Sequence, residues 1–201
     1  MELVESVPGE RSLCLTFDDG PNPIDTPRLL AVLHRHRVPA VFFLLGHAAL
    51  DHPELVRAIV ADGHALGNHG MRHDDLSHWP KERIEAELRA TTEAIHSATP
   101  GSVVGYFRAP YGRWGHSPEV AAALGLRPLG WRLAVADWEP PGTPVLIERI
   151  TSGVTPGAVV LLHDGGGDRR QTVEAVDAVI PRLRAAGWSF TLPPLVEPVR
   201  G

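Results

Sequence analysis

The sequence is poor in the features that mark several protein classes. Cys14 is the only cysteine in 201 residues, which excludes an intrachain disulfide and a cysteine-rich zinc knuckle. Basic charge is also short: 19 Lys and Arg stand against 24 Asp and Glu, a formal net charge of −5 with histidines neutral. No positive field is available to draw in nucleic acid or an anionic membrane, and neither is expected as a partner. Long apolar runs are missing as well. The longest, such as residues 158–162 (AVVLL), fall far below the roughly 20 residues of a membrane-spanning helix. The start, MELVESVPGERS, has no basic stretch ahead of a hydrophobic segment and does not read as a secretory signal. A cytoplasmic location is expected, with a trimmed secreted form as the alternative. No internal repeat or low-complexity tract occurs, and no G-x-S-x-G elbow offers a serine nucleophile.

What remains is an ordinary globular chain. Hydrophobic residues make up 43% and charged residues 21%, a balance that argues against disorder. The length suits one domain over residues 1–201, with its core at about 12–192. Apolar runs at residues 13–17, 40–45, 65–67, 103–107, 128–133, 158–162 and 188–192 read as strands. Between them, residues 27–38, 51–61, 80–97, 118–124, 145–153 and 171–186 read as helices, the second capped by Asp51. Seven strands alternating with helices at this spacing predict an α/β fold with parallel strands, a small or incomplete barrel.

In such a fold functional groups collect beyond the carboxyl ends of the strands. Asp18 and Asp19 follow the first strand, His69 and His73 the third, Arg108 the fourth, Asp137 the fifth, and His163 with Asp164 the sixth. Side chains alternate along a strand, so Asp18 and Asp19 face different ways and can divide metal binding and proton transfer between them. Asp18-Asp19-Gly20-Pro21 also suits a turn that caps the next helix. His69 and His73 are four apart, and one helical turn would bring both imidazoles to one ion. Two histidines and one carboxylate leave coordination positions open, as a catalytic metal site requires. His47, His52, His64 and His78 read as surface or loop histidines. Arg108 can pair with a carboxylate. Trp131 and Trp138 can line a sugar cleft, with the core as the alternative, favoured for Trp131. A core-edge histidine bonded to backbone is the plain alternative for His163.

Taken in order, these segments resemble the polysaccharide deacetylase family, the NodB-homology domain of carbohydrate esterase family four, over roughly residues 12–192. The matching segments are Thr16-Phe17-Asp18-Asp19-Gly20-Pro21, His69-Gly70-Met71-Arg72-His73, Arg108-Ala109-Pro110-Tyr111, Asp137-Trp138 and Leu161-Leu162-His163-Asp164. The resemblance implies a distorted seven-stranded (β/α) barrel. It implies Asp18 as general base, His163 as general acid tuned by Asp137, and Arg108 as partner of the base. Asp19, His69 and His73 would ligate one divalent ion, Zn²⁺ first and Co²⁺ as a substitute. Tyr111 would lend its backbone N–H to the oxyanion, and Trp138 and Leu162 would form the acetyl pocket. Two positions depart from the family: Gly70 stands where Ser or Thr is usual, and Ala134 where a further Asp is frequent.

The activity implied is metal-dependent removal of N-acetyl groups from amino sugars in short oligosaccharides or glycoconjugates. One alternative is a deacylase of an N-acylated small glycoside or other non-polymeric amide; another is a non-catalytic carbohydrate-binding module. Fe(II) oxygen chemistry on the same ligands would call for an antiparallel fold, against the βα alternation. The oligomeric state is left open.

Overall fold

A computed structural model describes residues 3–195. Strand β1 (Ser12–Gly20) leads through a turn to helix α1 (Asp25–His36). The turn forms because the Asn22 carboxamide oxygen accepts from the N–H groups of Ile24 and Asp25 at 2.8 and 3.0 Å, an Asx cap on the helix start. Strand β2 (Ala40–Leu44) follows, then helices α2 (Gly46–Asp51) and α3 (Pro53–Ala61) and strand β3 (Ala65–Asn68). Helix α4 (Lys81–Ala98) and strand β4 (Val104–Phe107) come next, then a short 3-10 turn (Pro110–Gly112), helix α5 (Ser117–Ala123) and strand β5 (Arg127–Pro128). The chain ends in strand β6 (Leu133–Ala134), helix α6 (Thr143–Gly153), strand β7 (Ala158–His163), helix α7 (Arg170–Ala185) and strand β8 (Ser189–Phe190).

Seven strands lie side by side in the order β5-β4-β3-β2-β1-β7-β6, every named pairing parallel, and β8 joins the first residues of β1. The sheet curls into a half-barrel with helices outside. Three expectations need correction. The strand expected at 128–133 is two short pieces on opposite edges of the sheet, and residues 129–132 carry the chain across the gap. Leu129 N–H donates to Phe107 at one edge and Arg132 N–H to Val159 at the other, so the crossing ties the edges together. The helix expected from Asp51 is α3, which opens at Pro53 with His52 as its N-cap; Asp51 instead ends α2, a helix not expected there, which Pro53 cannot continue because it has no N–H. The last strand keeps only two residues, since β1 offers it only Ser12 and Leu13.

Strand alternation sorts the core into two compartments. Leu13, Leu15 and Phe17 on β1, Phe42 and Leu44 on β2, and Val160 and Leu162 on β7 face the helices. Cys14, Val41, Phe43, Tyr106 and Val159 face the barrel interior, where Val7 and Leu129 join them. Each large side chain fully buried this way stabilises the fold by roughly 1.5–3 kcal/mol. The inward-facing positions, followed to the carboxyl ends of the strands, lead to Asp18, His69, Arg108 and His163.

Candidate active site

Asp18 is the last regular inward residue of β1, and His163 is its register partner on β7. Arg108 reaches the same interior from the end of β4 and is completely buried. Its guanidinium donates to Asp18 Oδ1 at 2.7 Å, Thr16 Oγ1 at 2.8 Å, and the carbonyls of Leu129 and Gly130 at 3.1 and 2.9 Å. The Phe43 ring lies 4.1 Å below the guanidinium carbon. The ion pair fixes the Asp18 carboxylate with its second oxygen toward the cleft.

Asp19 breaks the strand. Its φ of 72° is left-handed, and the β1–β2 register slips between Asp18 and Gly20. The bulge turns its carboxylate away from Arg108 and between two imidazoles. Asp19 Oδ1 lies 3.4 Å from His69 Nε2 and 3.4 Å from His73 Nε2, and one ligand atom from each of the three falls within 4.8 Å of the others. His69 Nδ1 is bonded to the Arg108 carbonyl at 2.8 Å, which puts its proton there and leaves Nε2 as the free lone pair. Asp19 Oδ1 is buried with no hydrogen-bond partner among the described residues. A bare buried carboxylate oxygen between two imidazole nitrogens fits a divalent cation in ligand type and number. Burial alone would raise the Asp19 carboxyl, yet the neighbouring imidazoles of His69, His73 and His163 hold it well below the usual range.

His69 and His73 do not meet on a helical turn. They sit on a loop in which Gly70 (φ 78°) and His73 (φ 61°) are both left-handed, so the expected convergence holds and the expected helix does not. Of the other histidines, His47 donates to the Met71 carbonyl at 2.7 Å and His64 accepts from Ala40 N–H at 3.2 Å, and neither lines the cleft.

Across the cleft, Asp137 holds His163 twice. Oδ1 takes the His163 ring Nδ1–H at 2.8 Å and Oδ2 takes its backbone N–H at 2.9 Å, while Thr172 Oγ1 also donates to Oδ2 at 2.9 Å. Burial lowers the His163 pKa, but the Asp137 hydrogen bond and charge, with Asp18 and Asp19, turn the net shift upward. Ala134 is exposed on β6, and the Asp137 carboxylate is satisfied without a side chain from that position.

The cleft between these groups has a volume of about 590 Å³. Tyr111 and Trp138 line it and remain 65% and 44% exposed, enough to present ring surface to a ligand. Tyr111 is left-handed (φ 59°), and the turn's own bonds, Gly112 N–H to Ala109 and Arg113 N–H to Pro110, do not use its N–H. Two assignments change. Leu162 is fully buried against the helices, and Leu161 lines the cleft instead, because Leu161 and His163 share the inward face of β7. Trp131, expected in the core, is a cleft wall. Sequence reasoning also missed Arg169, whose nearly buried guanidinium donates to the carbonyls of Gly165 and Gly166 at 2.7 and 3.0 Å. That glycine loop presses against Asp19 so closely that a β-carbon at either position would collide with it. A charged residue directly behind Gly-Gly-Gly-Asp was the available signal.

A carboxylate paired with an arginine and a protonatable imidazole paired with a carboxylate, facing each other beside a metal-ready triad, suit hydrolysis of an amide or ester. The comparisons agree. The chain matches the model of the polysaccharide deacetylase family over residues 5–129. It is 43% identical over 194 residues to the chitooligosaccharide deacetylase of Rhizobium leguminosarum bv. trifolii, covering 90% of this chain and 89% of that protein. Its fold is similar to that of a peptidoglycan N-acetylglucosamine deacetylase crystallised with 4-naphthalen-1-yl-N-oxidanyl-benzamide, at a TM-score of 0.88 and 29% identity over 94% of this chain and 89% of that one. It is also similar to a CE4 family pseudoenzyme from Bacillus anthracis, at a TM-score of 0.83 and 28% identity over 91% of this chain and 64% of that one. Likeness of fold therefore does not decide turnover by itself, but ancestry it does decide. The chain belongs to the polysaccharide deacetylase family.

Proposed function

We propose that this chain hydrolyses the N-acetyl group of amino sugars in short chito-oligosaccharides or related glycoconjugates, using one Zn²⁺ held by Asp19, His69 and His73. The observation that carries the reading is the pairing of two opposite proton-transfer groups across one cleft, Asp18 backed by Arg108 and His163 backed by Asp137. A resident zinc ion would supply Lewis acidity and a more acidic water. Asp18, paired with Arg108, takes a proton from the attacking water. The Tyr111 N–H, unused by its own turn, supports the oxyanion of the tetrahedral intermediate. His163 carries its proton on Nε2 and gives it to the departing amine, while Asp137 fixes the ring through Nδ1. Leu161 and Trp138 offer the apolar contact that suits a methyl group. The exposed Tyr111 and Trp138 rings suit the apolar face of a sugar.

The substrate class draws support from the chitooligosaccharide and peptidoglycan deacetylases to which the chain is similar. The test is release of acetate and free amine from N-acetylated chito-oligomers, peptidoglycan fragments and acylated glycosides, using metal-stripped protein restored with Zn²⁺ or Co²⁺. Metal-dependent release from the chito-oligomers is expected. Release from the glycosides alone would favour a small-molecule deacylase, and ligand binding without release a binding module.

A further inference from the structure

The loop between His69 and His73 contains Gly70 at the position where the family usually has a hydroxyl side chain, yet the backbone N–H and carbonyl groups of Gly70 and Met71 are all bonded. Gly70 N–H donates to Asn68 Oδ1 at 3.0 Å, and the Gly70 carbonyl accepts from Gly46 N–H at 3.0 Å. The Met71 carbonyl accepts from the backbone N–H of His47 at 3.1 Å and from its ring Nδ1–H at 2.7 Å. The remaining group, Met71 N–H, donates to Glu87 Oε1 at 2.7 Å. A β-carbon at position 70 would lie 3.5 Å from that same oxygen, in van der Waals contact with the Glu87 carboxylate.

We propose that Glu87, on α4 and outside every segment that carries the family resemblance, is a positioning residue for the metal-binding loop. This rests on the reading of Asp19, His69 and His73 as the ligand set. Its logic is mechanical. Asn68, immediately before the first histidine, donates through Nδ2 to the Leu88 carbonyl at 2.8 Å and to Thr92 Oγ1 at 3.0 Å. Glu87 takes the N–H midway between the two histidines. Both anchors lie within about one turn of α4, whose Ile84, Leu88, Thr91 and Ile95 are buried and fix it to the core. A left-handed glycine adds no side-chain restraint of its own, and a hydroxyl residue there would be strained at φ 78°. The restraint comes from the neighbouring helix instead. Groups that orient metal ligands from behind typically change metal affinity by about 10–100-fold when removed.

The test measures Zn²⁺ affinity of metal-stripped protein by competition with a chromophoric chelator, together with the melting temperature of the metal-free form. Glu87→Ala should weaken Zn²⁺ binding by about 10–100-fold while the metal-free form melts close to the unchanged chain. Activity should fall at limiting Zn²⁺ and return at saturating Zn²⁺. Glu87→Gln keeps an acceptor oxygen and should recover most of the affinity. Glu87→Asp draws the oxygen back by one methylene and should bind weakly; it carries the test if the alanine variant does not fold. Unchanged Zn²⁺ affinity in Glu87→Ala would overturn the proposal, and so would a glutamine variant as weak as alanine. His69→Ala separates the two readings: Zn²⁺ binding that survives it would sink the ligand assignment, whereas its loss beside normal binding in Glu87→Ala would sink only the role of Glu87.

Discussion

The two sides of the cleft use the same chemical pair in opposite order. On the β1 side the carboxylate of Asp18 faces the cleft and the cation, Arg108, lies behind it, completely buried. On the β7 side the imidazole of His163 faces the cleft and the carboxylate of Asp137 lies behind it, also completely buried. A cation behind a carboxylate favours the deprotonated form and makes a base; a carboxylate behind an imidazole favours the protonated form and makes an acid. The order of the partners along the line into the core thus divides the proton work. The buried partner also differs in what secures it. Arg108 is held by the Thr16 hydroxyl on β1 and by two carbonyls of the segment that crosses between the sheet edges, so it is part of the fold. Asp137 leans on Thr172 and on the His163 backbone, so it belongs mainly to the site.

The sharpest way to break this comparison is to remove the charge of the front group on one side only. Asp18→Asn keeps the shape and the Asp19, His69 and His73 set, so metal content by elemental analysis should be retained. Turnover should drop by ~10²–10⁴-fold, the range for loss of a general base. Near-normal turnover at normal metal content would remove Asp18 from that role. The fold-embedded character of Arg108 predicts a different loss. Arg108→Met strands Asp18 in the interior without its cation and should cost about 3–5 kcal/mol of stability. For a chain of this size that is a melting temperature lower by roughly 6–20 °C. The double variant Asp18→Asn/Arg108→Met should melt above Arg108→Met, because the stranded charge is gone. A double variant no more stable would mean that the guanidinium's bonds to the carbonyls matter and the pair does not.

The contrast also explains what could be read from the sequence. Asp18 and His163 stand directly at the ends of apolar runs, and their placement follows from alternation and parallel strands. Leu161 and Leu162 could not be told apart, because AVVLL is apolar at every position and an unbroken run does not say which residues face inward. His69 and His73 were paired by their spacing, but the path between them depends on backbone torsions to which Gly70 was the one local clue. PLGWRL reads as a single strand, and only the curl of the sheet shows that Gly130 sits mid-crossing with two edges to serve. Glu87 had no local signal at all: it is one of several acidic residues on an amphipathic helix, and its partner is 16 residues away.

On the acid side the expected effect is smaller and appears in the pH profile. Asp137→Asn leaves a side chain that can still orient the ring but withdraws the charge that raises the His163 pKa. The kcat/KM should fall by less than the ~10²–10⁴-fold that deleting the acid itself would cost, and its alkaline limb should move to lower pH at equal metal loading. A limb that stays in place would mean that the amine receives its proton from elsewhere, since metal-bound water can titrate in the same range but is not paired with Asp137.

The smallest effect sharpens the comparison by asking what a carboxyl does nearby when no cation stands behind it. Asp164 follows His163, is completely buried, and has the Thr26 hydroxyl as its hydrogen-bonding side-chain partner at 2.5 Å. Burial pushes its pKa up to about 7; the negative charges of Asp19 and Asp18 add to the rise, and the Thr26 bond and His163 only partly oppose it. An acid whose folded pKa lies above its unfolded value binds more protons in the folded state between the two. Stability therefore falls as pH rises from the ordinary carboxyl range toward neutrality, and the loss is complete above about 7. Asp164→Asn is uncharged throughout and lacks this slope. Unfolding free energies of the metal-free proteins at pH 5 and pH 8 should show the variant gaining on the unchanged chain by about 2–3 kcal/mol with rising pH. The difference between the two proteins isolates Asp164 from the other carboxylates and histidines, which titrate in both. Parallel curves would mean that Asp164 is ionised in the folded protein and finds its compensating charge after all, so that a cation in contact is not what separates Asp18 from its neighbour.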